Sequence, residues 1–295
     1  MSGGAGFAGA GAGKPGLATL FGRLVKFEHT VFALPFAYVG ALLSVGGIPS
    51  GHDVLWITVA MVGARSLAMA LNRLIDAGID AANPRTASRE LPSGALSMRA
   101  VVAFCVVSLA VFLVAVWQLD PIVRWLWPIP VAAFVVYPYL KRFTWMTHFW
   151  LGATGGLAPV GAWVAVTGEL PWQAWALGLV VMTWMAGFDL FYSLFDVEVD
   201  RAQRLHSWAV RFGERGVFAG ARVLHAAAVA LLVAVGLGLE VGAWYWAGVA
   251  AVAALLVYEH RLVRPGDLRR LDAAFFTMNG VISVTFFVFV LLDVV

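Results

Sequence analysis

Charge is scarce in this sequence. Charged residues make up 13% of its 295 positions, against about 25% in soluble domains, and the mean hydropathy is +0.85. A soluble globular fold is excluded. Cysteine is nearly absent: the one thiol, Cys105, lies inside an apolar run. There is therefore no disulfide framework and no cysteine-based metal site. The six His residues include no close-spaced ligand pair, so scattered structural or interfacial roles are expected of them. Strict polar–apolar alternation persists nowhere, which argues against a transmembrane β-barrel. Residues 1–19 are rich in Gly and Ala but lack the apolar core of a cleaved signal peptide. No strand precedes their glycines, as a nucleotide-binding fingerprint requires. They read as a disordered leader, followed by a single transmembrane domain over 20–295.

What the chain has in abundance is long apolar runs. Stretches of ~17–25 residues mark membrane helices. About nine occur, near 28–46, 54–76, 100–118, 123–139, 146–166, 172–192, 215–237, 242–260 and 272–292. The expected fold is an all-α polytopic bundle. The fourth run is crowded by Pro128, Pro130 and Pro138, residues a membrane helix tolerates when neighbours satisfy the freed carbonyls. With nine spans, eighteen of the 20 Lys and Arg residues fall on one side. Only Arg124 lies on the other, and Arg65 lies within the second span. The positive-inside rule then puts the N-terminus and that basic rim in the cytoplasm, for a protein of the cytoplasmic (inner) membrane. The net charge of +3 follows from the rim, and no nucleic-acid partner is needed to explain it. The partner implied by composition is the lipid bilayer.

Two acidic strings stand at the cytoplasmic ends of greasy runs. The first is Asn72-Arg-Leu-Ile-Asp76-Ala-Gly-Ile-Asp80 and the second Asp189-Leu-Phe-Tyr-Ser-Leu-Phe-Asp196-Val-Glu-Val-Asp200. A carboxylate at mid-bilayer costs roughly 2.5–3.5 kcal/mol even on the mildest scale. On a helix each residue turns ~100°, so steps of 4 and 7 keep one face. Arg65, Asn72, Asp76 and Asp80 make one stripe; Asp189, Asp196 and Asp200 make another. Asp76 and Asp196 are 120 residues apart, as are Asp80 and Asp200, which suggests two pseudo-repeated halves facing each other. Clustered carboxylates suit hard cations, and Mg²⁺ held by carboxylates commonly bridges to a diphosphate. Glu198 falls on another face and reads as a solvated loop residue.

Arginine-rich loops follow both strings, 83–94 and 201–213, with Arg85, Arg89 and Arg204 beside the acids. Arg pairs bidentately with phosphate oxygens, although topology alone would also place Arg there. Tyr137-Pro-Tyr-Leu-Lys141-Arg142 closes the fourth run on the same side. Tyr137 and Lys141 either anchor the interface or reach a diphosphate. Arg65 lies about 10 Å deeper than Asn72, at 1.5 Å per residue, and a cation that deep needs an anionic partner. Asp189 is one candidate and an anionic or phenolic substrate is the other.

These residues resemble the UbiA-type intramembrane aromatic prenyltransferases. Asn72, Asp76 and Asp80 match the family's Asn-x-x-x-Asp-x-x-x-Asp string. Asp196 and Asp200, with Asp189 seven residues upstream, match its second string, and Tyr137 to Arg142 match its Tyr-Pro-x-x-Lys-Arg string. Arg73 departs from the Asp that many members carry after the Asn. That departure, with the strings 26–37 and 61–76, is similar to the branch linked to futalosine-route menaquinone synthesis, whose members are commonly labelled 4-hydroxybenzoate polyprenyltransferases. Trp208-Ala209 replaces the Pro found in many members' second loop.

The resemblance implies Mg²⁺-dependent transfer of a polyprenyl group from polyprenyl diphosphate to an aromatic acid, 4-hydroxybenzoate or a dihydroxynaphthoate-type ring. Asn72, Asp76, Asp80, Asp196 and Asp200 would hold metal. Arg85, Arg89, Tyr137, Lys141 and Arg204 would clamp the diphosphate. Asp189 and Arg65 would act on the acceptor. A cation-coupled transporter is the alternative, since intramembrane carboxylates and internal duplication occur there too. Against it, the acids stand at helix mouths and are followed by Arg-rich loops.

Overall fold

The computed structural model describes residues 16–25, 30–263, 266 and 277–295. Most of the expected leader, 1–19, lies outside those residues, as do the start of the first expected span and residues 272–276 of the last. Among the described residues the chain is helical, with no strand. In order come α1 (Leu17–Leu24), α2 (Thr30–Val45), α3 (Gly51–Ile75), α4 (Ala77–Ala81), α5 (Met98–Gln118), α6 (Val123–Leu126) and α7 (Pro128–Leu140). Then follow α8 (Thr147–Thr167), α9 (Trp172–Tyr192), a 3₁₀ turn (Ser193–Asp196), α10 (Val197–Ala202), α11 (Trp208–Leu239), α12 (Ala243–Leu262) and α13 (Asn279–Val294).

Six of these helical stretches are long and apolar enough to cross a membrane. Helices α2 and α13 are apolar but have 16 described residues each. Helix α12 carries Glu259, His260 and Arg261 near its end. The fourth expected span, read as one run that tolerates its prolines, divides after α6 instead, and Pro128 opens α7, where its missing N–H is unneeded. Ser50, Ser97 and Ser207 cap α3, α5 and α11 by accepting from the backbone N–H of Asp53, Ala100 and Val210, which satisfies donors no helix can. The loop read over 201–213 is partly helix: α11 begins at Trp208 and is kinked at Gly213, where φ is 67°.

Small residues let the spans approach closely. A Cβ added at Gly156 of α8 would collide with the Gly178 carbonyl of α9, and one at Gly40 of α2 would collide with the Pro159 backbone of α8. On one side of this ridge, Phe36, Trp184, Leu232, Tyr245 and Phe286 join α2, α9, α11, α12 and α13. On the other, Ala37, Ile57, Phe112 and Val164 join α2, α3, α5 and α8.

The 120-residue register has a backbone counterpart. Asp76 ends α3 with φ −94° and ψ 9°, and α4 begins directly after it. Asp196 ends the 3₁₀ turn with φ −107° and ψ 2°, directly before α10. Each first acid therefore sits at a break in the helix, in the sparsely populated bridge region. The uninterrupted stripes inferred from spacing are thus bent. The face is kept at the first break because Asp76 N–H still bonds Asn72 O at 3.0 Å and Asp80 N–H bonds Asp76 O at 2.8 Å.

Candidate active site

A cavity of about 650 Å³ opens at both breaks and runs between α3, α5, α7, α8 and α9. Arg65, Asn72, Asp76, Asp80, Arg85, Arg89, Tyr137, Lys141, Asp189, Asp196 and Asp200 all line it. Residues from α3, α4, α7, α9, the 3₁₀ turn, α10 and the loop after α4 thus meet around one cavity. Arg204 does not line it. It sits on the turn after α10 with a left-handed φ of 56°, and it is exposed. Chain proximity to Asp200 carried that expectation, and the turn directs the residue away.

Each mouth carboxylate holds a cation. Arg85 forks onto Asp196, with Nε to Oδ1 at 3.0 Å and Nη2 to Oδ2 at 2.6 Å. Arg89 Nη1 reaches both oxygens of Asp80, at 2.7 and 2.8 Å. Lys141 Nζ donates to Asp200 Oδ1 at 3.1 Å, and Arg142 Nη2 to Asp76 Oδ1 at 3.3 Å. Asn72 Nδ2 donates to the other Asp76 oxygen at 3.2 Å. Burial works against the charge of Arg85, but the fork to Asp196 together with nearby Tyr192 and Asp80 outweighs it and holds the guanidinium above the ordinary arginine range. The carboxylates are spread among these cations: no three His, Cys, Asp or Glu among the described residues gather around one point. Glu198 is 89% exposed and pairs with Arg201, as its face indicated.

Several cavity residues were not singled out from sequence. Asn83 donates from Nδ2 to Asp196 Oδ1 at 3.1 Å and accepts the Arg85 N–H at 2.9 Å, so it fixes the loop that carries Arg85. Tyr192 OH accepts from Arg85 Nη1 at 3.0 Å. Arg73, assigned to the basic rim, is buried, with Nη1 3.9 Å from Asp80 Oδ2. Its departure from the family pattern therefore puts a cation beside the first string. His148, at the start of α8, holds Asp189: Nδ1 lies 2.6 Å from Oδ2.

That last contact gives Asp189 a partner other than Arg65. No ion pair joins Arg65 to Asp189 or to any other described carboxylate, and Arg65 Nε is buried without a hydrogen-bond partner. The cation lines the cavity, and no carboxylate among the described residues pairs with it.

Residues 33–281 match the UbiA prenyltransferase family. The chain belongs to that family. It is an integral membrane enzyme, a UbiA prenyltransferase, and its relatives agree. The 4-hydroxybenzoate octaprenyltransferase of Aromatoleum aromaticum is 31% identical over 270 residues, 90% of this chain and 92% of that protein. A UbiA homologue from Aeropyrum pernix, solved without ligand, superposes with a TM-score of 0.83 at 32% identity and covers 91% of this chain and 98% of that one. A UbiA homologue from Archaeoglobus fulgidus bound to GPP and Mg²⁺ shares the fold, with a TM-score of 0.70 at 18% identity over 93% and 99% of the two chains. Within this UbiA frame, the acidic mouth and the deeper Arg65 line one cavity.

Proposed function

We propose that this UbiA enzyme transfers a polyprenyl group from polyprenyl diphosphate to a ring carbon of a phenolic aromatic acid, in quinone biosynthesis at the cytoplasmic membrane. The observation that carries the reading is Arg65, a deep arginine whose Nε is buried without a hydrogen-bond partner among the described residues, in the cavity whose mouth is acidic. A buried arginine calls for an anion, and a carboxylate fits its fork. An acceptor seated on Arg65 has its ring between that residue and the mouth, about 10 Å away at helical rise. A dihydroxynaphthoate-type acid is favoured by the resemblance of the first strings. 4-Hydroxybenzoate is the second reading, favoured by what the relatives are named for.

Asn72, Asp76, Asp80, Asp196 and Asp200 would hold Mg²⁺. They offer only oxygen donors, the set that hard cations take. Asp200 Oδ2 is buried with no hydrogen-bond partner, which leaves an acceptor position unused. Bound Mg²⁺ supplies positive charge to the leaving diphosphate. Arg85, Arg89, Lys141 and Tyr137 line the same mouth and donate to phosphate oxygens. Asp189 faces the acceptor ring. Met185, Phe134 and Phe188 line the wall and keep water from the allylic cation. The one-sided distribution of Lys and Arg supports a cytoplasmic mouth.

The test is purified protein with labelled polyprenyl diphosphate, Mg²⁺ and a panel of phenolic acids. Label should enter a prenylated acid, stop under exhaustive chelation and resume when Mg²⁺ is restored. Absence of product with every acid would reject the function, and undiminished turnover after chelation would reject the metal.

A further inference from the structure

We infer that His148 is the positioning residue for Asp189: it turns one carboxylate oxygen inward as a hydrogen-bond acceptor and leaves the other to receive the proton lost by the acceptor ring. The inference rests on the reading of Asp189 as the group that faces the acceptor.

Three elements build the arrangement. His148 stands in the first turn of α8, Asp189 in the last turn of α9, and Trp208 is the first residue of α11. The Trp208 N–H belongs to the set at a helix start that has no intrahelical partner. It donates to His148 Nε2 at 3.3 Å. A backbone N–H can only donate, so Nε2 carries a lone pair there. The ring proton of the neutral imidazole is consequently on Nδ1. It points at Asp189 Oδ2, 2.6 Å away. The side chains are nearly shut off from solvent, with His148 3% and Asp189 14% exposed, and both residues line the cavity. Among the described residues Asp189 Oδ1 has no hydrogen bond. The start of α11 thus sets the tautomer, the tautomer sets the carboxylate, and the carboxylate presents one oxygen to the cavity.

The chemistry balances. As transfer proceeds, the bond from prenyl C1 to the diphosphate oxygen breaks and its electron pair leaves with the diphosphate. A π pair of the acceptor ring forms the new bond to C1. The ring carbon then carries one hydrogen too many for aromaticity, and that proton passes to Asp189 Oδ1. The hydrogen bond from His148 holds the carboxylate in orientation until the proton arrives. No oxidant or further reactant is needed.

Two histidine variants separate positioning from packing. H148F keeps a planar ring of similar size and removes both nitrogens. H148N puts an amide donor near the place of Nδ1. Nε2 is lost in both, so the loss at Trp208 is common and the difference between them reports the contact to Asp189. H148F should lower kcat by about 10- to 100-fold, the range for losing a hydrogen bond to a charged group, with the KM for polyprenyl diphosphate unchanged. H148N should recover most of that kcat. In a D189N background, H148F should change kcat by less than about twofold, because residues acting as one unit are not additive. A readout that needs no histidine variant is ¹⁵N NMR of histidine-labelled wild type, which should show His148 protonated on Nδ1 and bare on Nε2. Wild-type kcat in H148F, equal losses in H148F and H148N, additivity with D189N, or a proton on Nε2 would each overturn the inference. A D189N enzyme with full kcat would instead remove the underlying role of Asp189, a different failure that the same series identifies.

Discussion

Asp196→Ala should lower turnover by about 100- to 1,000-fold or more, in the range seen when one preorganised group that stabilises developing charge is removed. Asp76→Ala should do the same. The two acids stand at the two helix breaks and serve one diphosphate, so the double variant should be little worse than either single. The loss should not come from unfolding. Arg85, the partner of Asp196, has a side chain 35% exposed, and Arg142, the partner of Asp76, one 40% exposed. Water can rehydrate both guanidinium groups when their carboxylates go, which spares the protein the several kcal/mol of a stranded buried charge. The measurement is kcat with a thermal-unfolding control in detergent. Near wild-type rates in either single variant would remove the two acids from the site.

Arg65→Ala should raise the acceptor KM by roughly 30- to 1,000-fold and leave the KM for polyprenyl diphosphate nearly unchanged. The range corresponds to about 2–4 kcal/mol for a buried charge-assisted contact. Arg65→Lys should recover only part of it, because an ammonium cannot form the bidentate fork. Stability supplies an independent sign. With no carboxylate among the described residues on Arg65, its removal deletes an uncompensated buried charge, so the melting point should hold or rise. Equal increases in both KM values together with a lowered melting point would mean that Arg65 is structural.

Much of this site was legible because helical spacing is local information. Asn72, Asp76 and Asp80 share a face by steps of four, and the second string repeats the pattern 120 residues on. The break ahead of α7 falls at Pro128, a residue read only as tolerated within a continuous span. The breaks at Asp76 and Asp196 could not be read either, since neither position carries a proline. What the sequence hid was mainly distant contact. Asn83 meets Asp196 across 113 residues, and His148 meets Asp189 across 41. A lone histidine at the start of an apolar run gives no sign of its partner. Arg73 was hidden differently: positive-inside topology accounts for it so well that its burial beside Asp80 left no trace in the pattern. Arg204 erred in the opposite direction, because a left-handed turn separates neighbours that are close in the chain.

The central claim is that the acidic mouth and Arg65 are the two ends of one transfer site. It is tested most directly by an experimental structure of the protein with Mg²⁺, a non-ionising polyprenyl thiolodiphosphate and a phenolic acid. The account predicts the diphosphate between the Asp76/Asp80 and Asp196/Asp200 pairs, with Arg85, Arg89 and Lys141 turned onto its oxygens. It also predicts the acid's carboxylate on Arg65 and its ring beside Asp189. A diphosphate bound elsewhere, with the four carboxylates still on the cations they hold here and Arg65 still without an anion, would contradict it.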